Sequence, residues 1–227
     1  MNNIHKSAIA AVMAGLAFSA AAGDSIDIKV IGQITPAACT PTLSGGATVD
    51  YGTIRADSLK QDAFTPLESK SLDFTITCDA SAKVAIRATD ARAGSVVKPV
   101  GTSLLGVSVT PGTELMGLGQ ADGKSIGAYA MTLAQSVKLD GETVATDGIW
   151  SADSGRTWSK SATGDLWLGG DGKNIYSWGK SGELKPVAFK TLSGTLQVQA
   201  AINKASELDL SKAVNLDGLS TLQLYYL

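Results

Sequence analysis

Histidine is almost missing from this sequence of 227 residues, which has only His5. His5 lies in a segment with the pattern of a secretory signal peptide, in which Lys6 precedes an apolar run from 8 to 18 and a small-residue A-x-A site follows. The apolar run is well short of the roughly 20 residues that cross a bilayer. We therefore expect residues 1–22 to be removed and the mature chain to contain no histidine.

The lack of histidine excludes several kinds of active site from the mature chain. Ser-His-Asp and Cys-His catalysis both need an imidazole, and so does histidine-ligated zinc. We expect no enzymatic activity, no catalytic residue, no bound metal and no cofactor. Carboxylate chemistry, as in glycoside hydrolases, is the enzymatic alternative that stays open.

Cysteine is also scarce, since Cys39 and Cys78 are the only two. An even pair in an exported protein is typical of a disulfide rather than of a metal or redox site. The same pairing would leave no thiol nucleophile. In the chain-entropy account, closing a loop of this span stabilises the fold by about 3–4 kcal/mol.

Charge and long apolar runs are limited as well. The net charge is −2 and becomes −3 once Lys6 is removed with the signal peptide, which argues against nucleic acid as a partner. No segment after residue 22 is long and apolar enough to span a bilayer. The remaining 205 residues, 23–227, suffice for one domain with its own core.

Short segments of alternating apolar and polar residues dominate the mature chain, and this period predicts β-strands. These segments are 25–35, 47–54, 71–78, 83–89, 105–110, 126–134, 136–139, 195–202 and 220–227. Glycine-bearing turns such as Asp122-Gly123 and Asp140-Gly141 separate several of them. With 25 glycines and no sustained helical period, the pattern predicts an all-β sandwich.

The last predicted strand ends the chain without a cap or a polar tail. Leu222, Leu224 and Tyr226 alternate with Gln223 and Tyr225, as in a half-buried strand. Chain termini usually fray unless they are tied down. A chain that stops one residue after Tyr226 therefore needs a partner for that strand.

A set of features in this order resembles the subunits of chaperone–usher fimbriae. Gly32 lies seven residues before Cys39, a Val-Asp-Tyr-Gly segment occupies 49–52, Cys78 ends an apolar strand, and Tyr226 is a penultimate aromatic residue. Within that group the chain is most similar to an uncharacterised family of β-fimbrial major subunits. The likeness is carried by 37–52, 75–78, 118–130 and the C-terminus.

The resemblance implies an immunoglobulin-like sandwich that lacks its final strand. It implies a donor strand in the extension 23–34, with Ile26, Ile28 and Val30 as the inserted side chains, by β-strand addition. It also implies that Leu222, Leu224 and Tyr226 line the acceptor edge, which binds the chaperone first.

By the same resemblance, the chain is a structural subunit of a surface fimbria assembled by donor-strand exchange. The implied partners are a periplasmic pilus chaperone, an outer-membrane usher and neighbouring subunits. The implied route is export through the periplasm to the cell surface.

All four tryptophans, Trp150, Trp158, Trp167 and Trp178, lie in a segment at 140–185, which we interpret as a hairpin-rich insertion. Residues 151–158 read S-A-D-S-G-R-T-W and match an Asp-box hairpin, a motif known from sialidase propellers and many other β-proteins. A second hairpin is predicted at 169–173. A single box favours a structural role, because a propeller needs repeated blades.

Two interpretations of these tryptophans stay open. They could pack on one another as a small satellite core. Alternatively, exposed indoles could stack on sugar rings, which would make the chain a fimbria-associated adhesin that binds a host or surface glycan.

Overall fold

The computed structural model describes residues 28–32 and 37–227, which belong to two separate units, 1–35 and 36–227. In the first unit, residues 28–32 have no regular secondary structure, and the side chains of Ile28, Val30 and Ile31 are exposed. The predicted signal peptide and Ile26 lie outside the described residues. All the strands described here belong to residues 37–227.

Residues 37–227 form an all-β structure with short 3-10 turns, as predicted. The strands are β1 (Cys39–Leu43), β2 (Thr65–Pro66), β3 (Lys70–Ala82), β4 (Val84–Asp90), β5 (Ser103–Leu104), β6 (Val107–Ser108), β7 (Met116–Gly117), β8 (Gln120–Ala121), β9 (Lys124–Ser125), β10 (Gly127–Leu133), β11 (Lys138–Leu139), β12 (Glu142–Thr143), β13 (Thr146–Ser151), β14 (Ser159–Lys160), β15 (Leu166–Trp167), β16 (Ile175–Lys180), β17 (Phe189–Ile202) and β18 (Ser220–Tyr226). The 3-10 helices are Ser44–Ala47, Ala56–Ser58, Ala93–Ser95 and Ala205–Glu207. In this part of the chain no helix has the length and apolar character needed to cross a membrane.

Two antiparallel sheets make the sandwich. The first has the order β1-β3-β17-β10-β15, with β2, β7, β11 and β12 attached to it. The second has the order β14-β13-β16-β4-β18. The consecutive strands β3 and β4 lie in different sheets, so the chain changes layers immediately after Ala82. The predicted β-sandwich is confirmed.

Alternation along the long strands builds the core between the sheets. In β3, Leu72, Phe74, Ile76 and Cys78 are all buried, whereas Asp73 between them is exposed. Trp178 of β16 stacks on Phe74 with ring centroids 6.4 Å apart. Burying a large apolar side chain contributes roughly 1.5–3 kcal/mol, so this row is a main source of stability.

The two predicted Asp-Gly turns both close hairpins. Asp122 and Gly123 have φ of 49° and 74° between β8 and β9, and Asp140 and Gly141 have φ of 52° and 86° between β11 and β12. Two successive positive φ angles are those of the type I′ turn, which matches the twist of the flanking strands.

The strand predicted at 47–54 is absent, because local contacts replace a sheet ladder there. Asp50 Oδ1 accepts a hydrogen bond from Gly52 N at 2.7 Å, and Gly52 has a φ of 63°. The Tyr51 hydroxyl accepts a bond from Ala200 N at 3.1 Å. The segment therefore packs on the sandwich through side chains.

The strand predicted at 105–110 is also interrupted. Leu105 and Gly106 have φ of 48° and 78° and form a turn between β5 and β6, which pair with each other. The hairpin predicted at 169–173 is wrong as well, since β15 before it pairs with β10 in the first sheet and β16 after it belongs to the second.

The segment 140–185 is part of both layers. Its strands β13 and β16 pair with each other, β16 pairs with β4, and β15 extends the first sheet. The predicted insertion thus supplies strands to the sandwich itself.

Candidate functional site

The last strand, β18, lies at the edge of its sheet. It pairs with β4 over seven residues, from Ser220 opposite Asp90 to Tyr226 opposite Val84. Among residues 37–227, no strand pairs with its other side. β1 is likewise the edge strand of the first sheet, where it pairs with β3. Unpaired backbone groups on an edge strand are a template for a further strand.

Half-buried apolar side chains line the two edges. Leu222 and Leu224 of β18 pack against the core cluster without being fully covered. The same holds for Leu43 of β1 and for the segment that follows it, at Val49, Tyr51, Ile54 and Leu59. A cavity of about 200 Å³ lies close to these residues. Ile54 and Leu59 line one side of it, and Val214 and Leu216, in the segment that precedes β18, line the other. Another strand laid here would cover apolar surface that the chain leaves in contact with water.

The two edge strands, β18 and β1, are joined at one end by a hydrogen bond within the chain. The Tyr226 hydroxyl accepts a hydrogen bond from Cys39 N at 2.8 Å, which joins β18 to β1. Leu227 N donates to Lys83 O at 3.1 Å. Tyr226 remains 47% exposed. The terminal strand therefore has partners in its own chain as well as an edge that is free.

The predicted disulfide is confirmed and lies at this tied end. Cys39 and Cys78 are opposite each other in the β1–β3 register, with Cα atoms 4.0 Å apart, and their sulfurs are bonded. Cys78 is buried in the core and Cys39 packs against it.

The Asp-box residues form the connection between β13 and β14. Asp153 accepts hydrogen bonds from Thr157 N at 2.9 Å and from the Thr157 hydroxyl at 2.7 Å, and the Ser151 hydroxyl donates to it at 2.7 Å. These bonds, chiefly those from Thr157, lower the pKa of the Asp153 carboxyl to about 2. The motif is a turn held by its own polar groups.

The C-terminus meets this turn. Gly155 has a φ of 88°, and a Cβ placed there would lie 3.0 Å from Leu227, 3.5 Å from Trp158 and 3.7 Å from Ile175. A side chain at position 155 would therefore displace the terminal leucine, so the glycine permits this contact.

The four tryptophans have three different environments and do not form one satellite core, because Trp150 and Trp178 belong with the main core cluster and Trp167 with the second cluster. Trp178 is buried against Phe74. Trp158 lies at the Asp-box turn, where its indole N–H donates to Gly155 O at 3.1 Å. Trp150 and Trp167 are half-buried and line a cleft of about 340 Å³. Of the four predicted glycan contacts, the structure brings only these two together.

The cleft also contains residues that sequence reasoning did not identify. Glu114, Asn174 and Tyr176 line it beside the two indoles. Glu114 lies just before β7, whereas Asn174 and Tyr176 lie at the start of β16, and no sequence pattern marks these two places as neighbours. Within 37–227 and 28–32, no cluster of three or more His, Cys, Asp or Glu side chains is placed to hold a metal ion.

The fold and the edges define a class: a disulfide-linked antiparallel β-sandwich whose last strand has no partner on one side among the described residues. Residues 28–130 match the family described as "Protein of unknown function (DUF1120)". Protein GltF of Escherichia coli K12 is 32% identical over 251 residues, covering 99% of this chain and 98% of that protein. Uncharacterized protein YhcF of the same organism is 32% identical over 243 residues, covering both chains fully. The chain belongs to this DUF1120 family.

Proposed function

We propose that this protein is a structural subunit of a surface fibre, exported by a signal peptide and assembled by donor-strand exchange through a chaperone–usher route. The observation that carries the proposal is the free side of β18, flanked by the half-buried Leu222 and Leu224. The resemblance of the sequence to chaperone–usher subunits supports the same conclusion.

The extension before β1 has the properties of the missing strand. By sequence alternation, Ile26, Ile28 and Val30 would share one face of a strand formed by this extension, with Asp27 and Lys29 on the other. Ile28 and Val30 are 84% and 91% exposed. Burial of each such side chain in another copy would contribute roughly 1.5–3 kcal/mol, in addition to the backbone hydrogen bonds of strand addition.

The extension is long enough for this purpose. A strand rises about 3.3 Å per residue, so the seven residues of β18 span about 23 Å and the nine residues 24–32 span about 30 Å. The donor can therefore run beside the whole of β18. The bond between Tyr226 and Cys39 then marks the closed end of the acceptor edge.

Matched pairs of substitutions on the two faces of the extension test the donor assignment. Ile28→Asn with Val30→Asn is expected to abolish polymers, because the inserted side chains become polar. Asp27→Asn with Lys29→Asn is expected to leave assembly intact, because these side chains face away from the acceptor. Polymer size is measured by gel filtration of shed protein. Equal assembly by both variants would contradict the proposal.

Dependence on a chaperone tests the acceptor edge separately. Co-expression with a periplasmic chaperone of the fimbrial type is expected to raise the yield of folded protein, since its strand covers the free side of β18. A subunit that folds to the same yield and stability as a monomer without any partner would contradict an edge that needs covering.

A further inference from the structure

The cleft between Trp150 and Trp167 lies away from the proposed donor-strand site. Trp150 belongs to β13, which is next to the end of the second sheet that lies opposite β18. Trp167 belongs to β15, which is at the end of the first sheet opposite β1. A strand added beside β18 would therefore leave the cleft open. Ligand binding at the cleft therefore does not depend on whether the protein forms fibres.

The aromatic part of the cleft is held in place by the fold. Trp167 packs against the apolar cluster under the loop before β7, and its indole N–H donates to Glu114 O at 2.8 Å. Trp150 is fixed in the ladder between β14 and β16, opposite Tyr176. Both indoles remain partly exposed, and Leu166, which also lines the cleft, is buried. Two partly exposed aromatic surfaces in one concave site can stack on a ring-shaped ligand without rearrangement.

The polar part of the cleft centres on Glu114. None of the hydrogen bonds and ion pairs among the described residues involves its carboxylate, whereas its backbone carbonyl accepts from Trp167. The carboxylate lies so close to Gly169 that a Cβ there would overlap Glu114 Oε2, and glycine at 169 therefore makes room for it. Burial raises the pKa of Glu114, Asp171 raises it further, and Lys173 and Lys98 oppose these effects.

A second polar group stands beside the carboxylate. The Tyr176 hydroxyl accepts a hydrogen bond from Gly169 N at 2.8 Å, and Asn174 lines the cleft two residues before it. The lining of the cleft thus combines two indoles with a carboxylate, a tyrosine hydroxyl and one side-chain amide.

We propose that the cleft bounded by Trp150, Trp167 and Glu114 is a carbohydrate-binding site that takes neutral hexopyranosides. A pyranose has an apolar C–H face, which suits an indole, and hydroxyl groups, which can donate to the carboxylate of Glu114. An anionic ligand would meet the negative charge of Glu114, because Asp171 and Lys173 form an ion pair with each other at 3.0 Å and Lys98 donates to Pro111 O. A purely apolar ligand would desolvate the carboxylate without offering it a donor. The volume of about 340 Å³ is at the lower end of the range for small-ligand sites.

The test uses the full exported protein and a set of methyl glycosides. The probes are the methyl pyranosides of glucose, galactose, mannose and N-acetylglucosamine, with N-acetylneuraminic acid as the anionic comparison, and binding is followed by tryptophan fluorescence and by saturation-transfer NMR. We expect at least one neutral glycoside to bind with a dissociation constant on the order of 1 mM. N-acetylneuraminic acid is expected to bind at least about tenfold more weakly.

Matched variants locate the binding. Trp167→Ala and Glu114→Gln are expected to weaken it by about tenfold or more, whereas Trp158→Ala and Glu183→Gln, outside the cleft, are expected to leave it within about twofold. Glu114→Gln retains the shape and relieves a partly buried charge, so its melting temperature at neutral pH should equal or exceed that of the unmodified protein. No binding of any neutral probe up to about 10 mM, or binding that survives both cleft variants, would overturn the proposal.

Discussion

At the scale of single residues, local turn chemistry is the feature that the sequence predicts most directly. Asp153 and its neighbours fulfil the turn chemistry that their identities predict, since the required bonds lie within the same eight residues. The tryptophans behave differently. Nothing near Trp178 in the sequence distinguishes it from Trp150, because the difference is made by Phe74 on a distant strand. Glu114 was missed for the same reason, as its neighbours in the cleft are remote in sequence.

Asp153→Asn is expected to lower the melting temperature at neutral pH, because an amide accepts the Thr157 bonds more weakly than a carboxylate. The pKa of Asp153 is lowered from 3.8 to about 2, so its contribution is complete above about pH 4 and is lost as the pH falls towards 2. The difference between the two melting curves should therefore shrink over that range. Asp62→Asn, in an exposed loop, is the control and should show no such difference. A difference that stays constant down to pH 2 would contradict the assignment.

Trp178→Ala is expected to cost about 3–5 kcal/mol of unfolding free energy, because it opens a cavity beside Phe74 and leaves Ala134 O without the indole donor. Trp158→Ala, at the Asp-box turn, should cost clearly less, since that indole is only half-buried. Urea unfolding of both variants measures the difference. Equal losses would contradict the placement of Trp178 in the core and of Trp158 at a partly exposed turn.

At the scale of elements, strict alternation predicted well those strands that have seven or more residues. The segments 71–78, 83–89, 126–134, 195–202 and 220–227 all lie within or nearly within observed strands. The pattern failed at 47–54, where Gly52 and a hydrogen bond from Ala200 N to Tyr51 divert the chain. Alternation also says nothing of pairing, so it could not place β16 between β13 and β4. Those contacts depend on residues far apart in the chain.

The link between β18 and β1 is an element-scale prediction. Tyr226→Phe removes the acceptor of the Cys39 amide and is expected to cost about 0.5–1 kcal/mol, at the low end for a hydrogen bond because the side chain is half-exposed. Tyr225→Phe is the matched control, because the Tyr225 ring contacts Arg87 and phenylalanine keeps that ring. Denaturant unfolding with the disulfide intact compares the two. Indistinguishable variants would mean that the bond does not tie the terminus.

For the whole molecule, the two candidate sites lie at opposite ends of the strand order. The free edge of β18 is where another chain would join, and the cleft between Trp150 and Trp167 is where a sugar would bind. This separation would let an assembled subunit present its cleft to the surroundings. The sequence implied the acceptor edge through its resemblance to fimbrial subunits, and β18 lies at the edge of its sheet. It could not predict the cleft, which only the packed sandwich creates.

Deletion of residues 24–31, followed by electron microscopy of cells that express only the deleted chain, tests the central claim most directly. The deleted chain retains β18 and the rest of the sandwich but has no donor strand. We predict that surface fibres disappear, and that fibres become shorter when the deleted and intact chains are expressed together, because a deleted subunit can accept a strand but cannot pass one on. Fibres of normal number and length from the deleted chain alone would contradict the account.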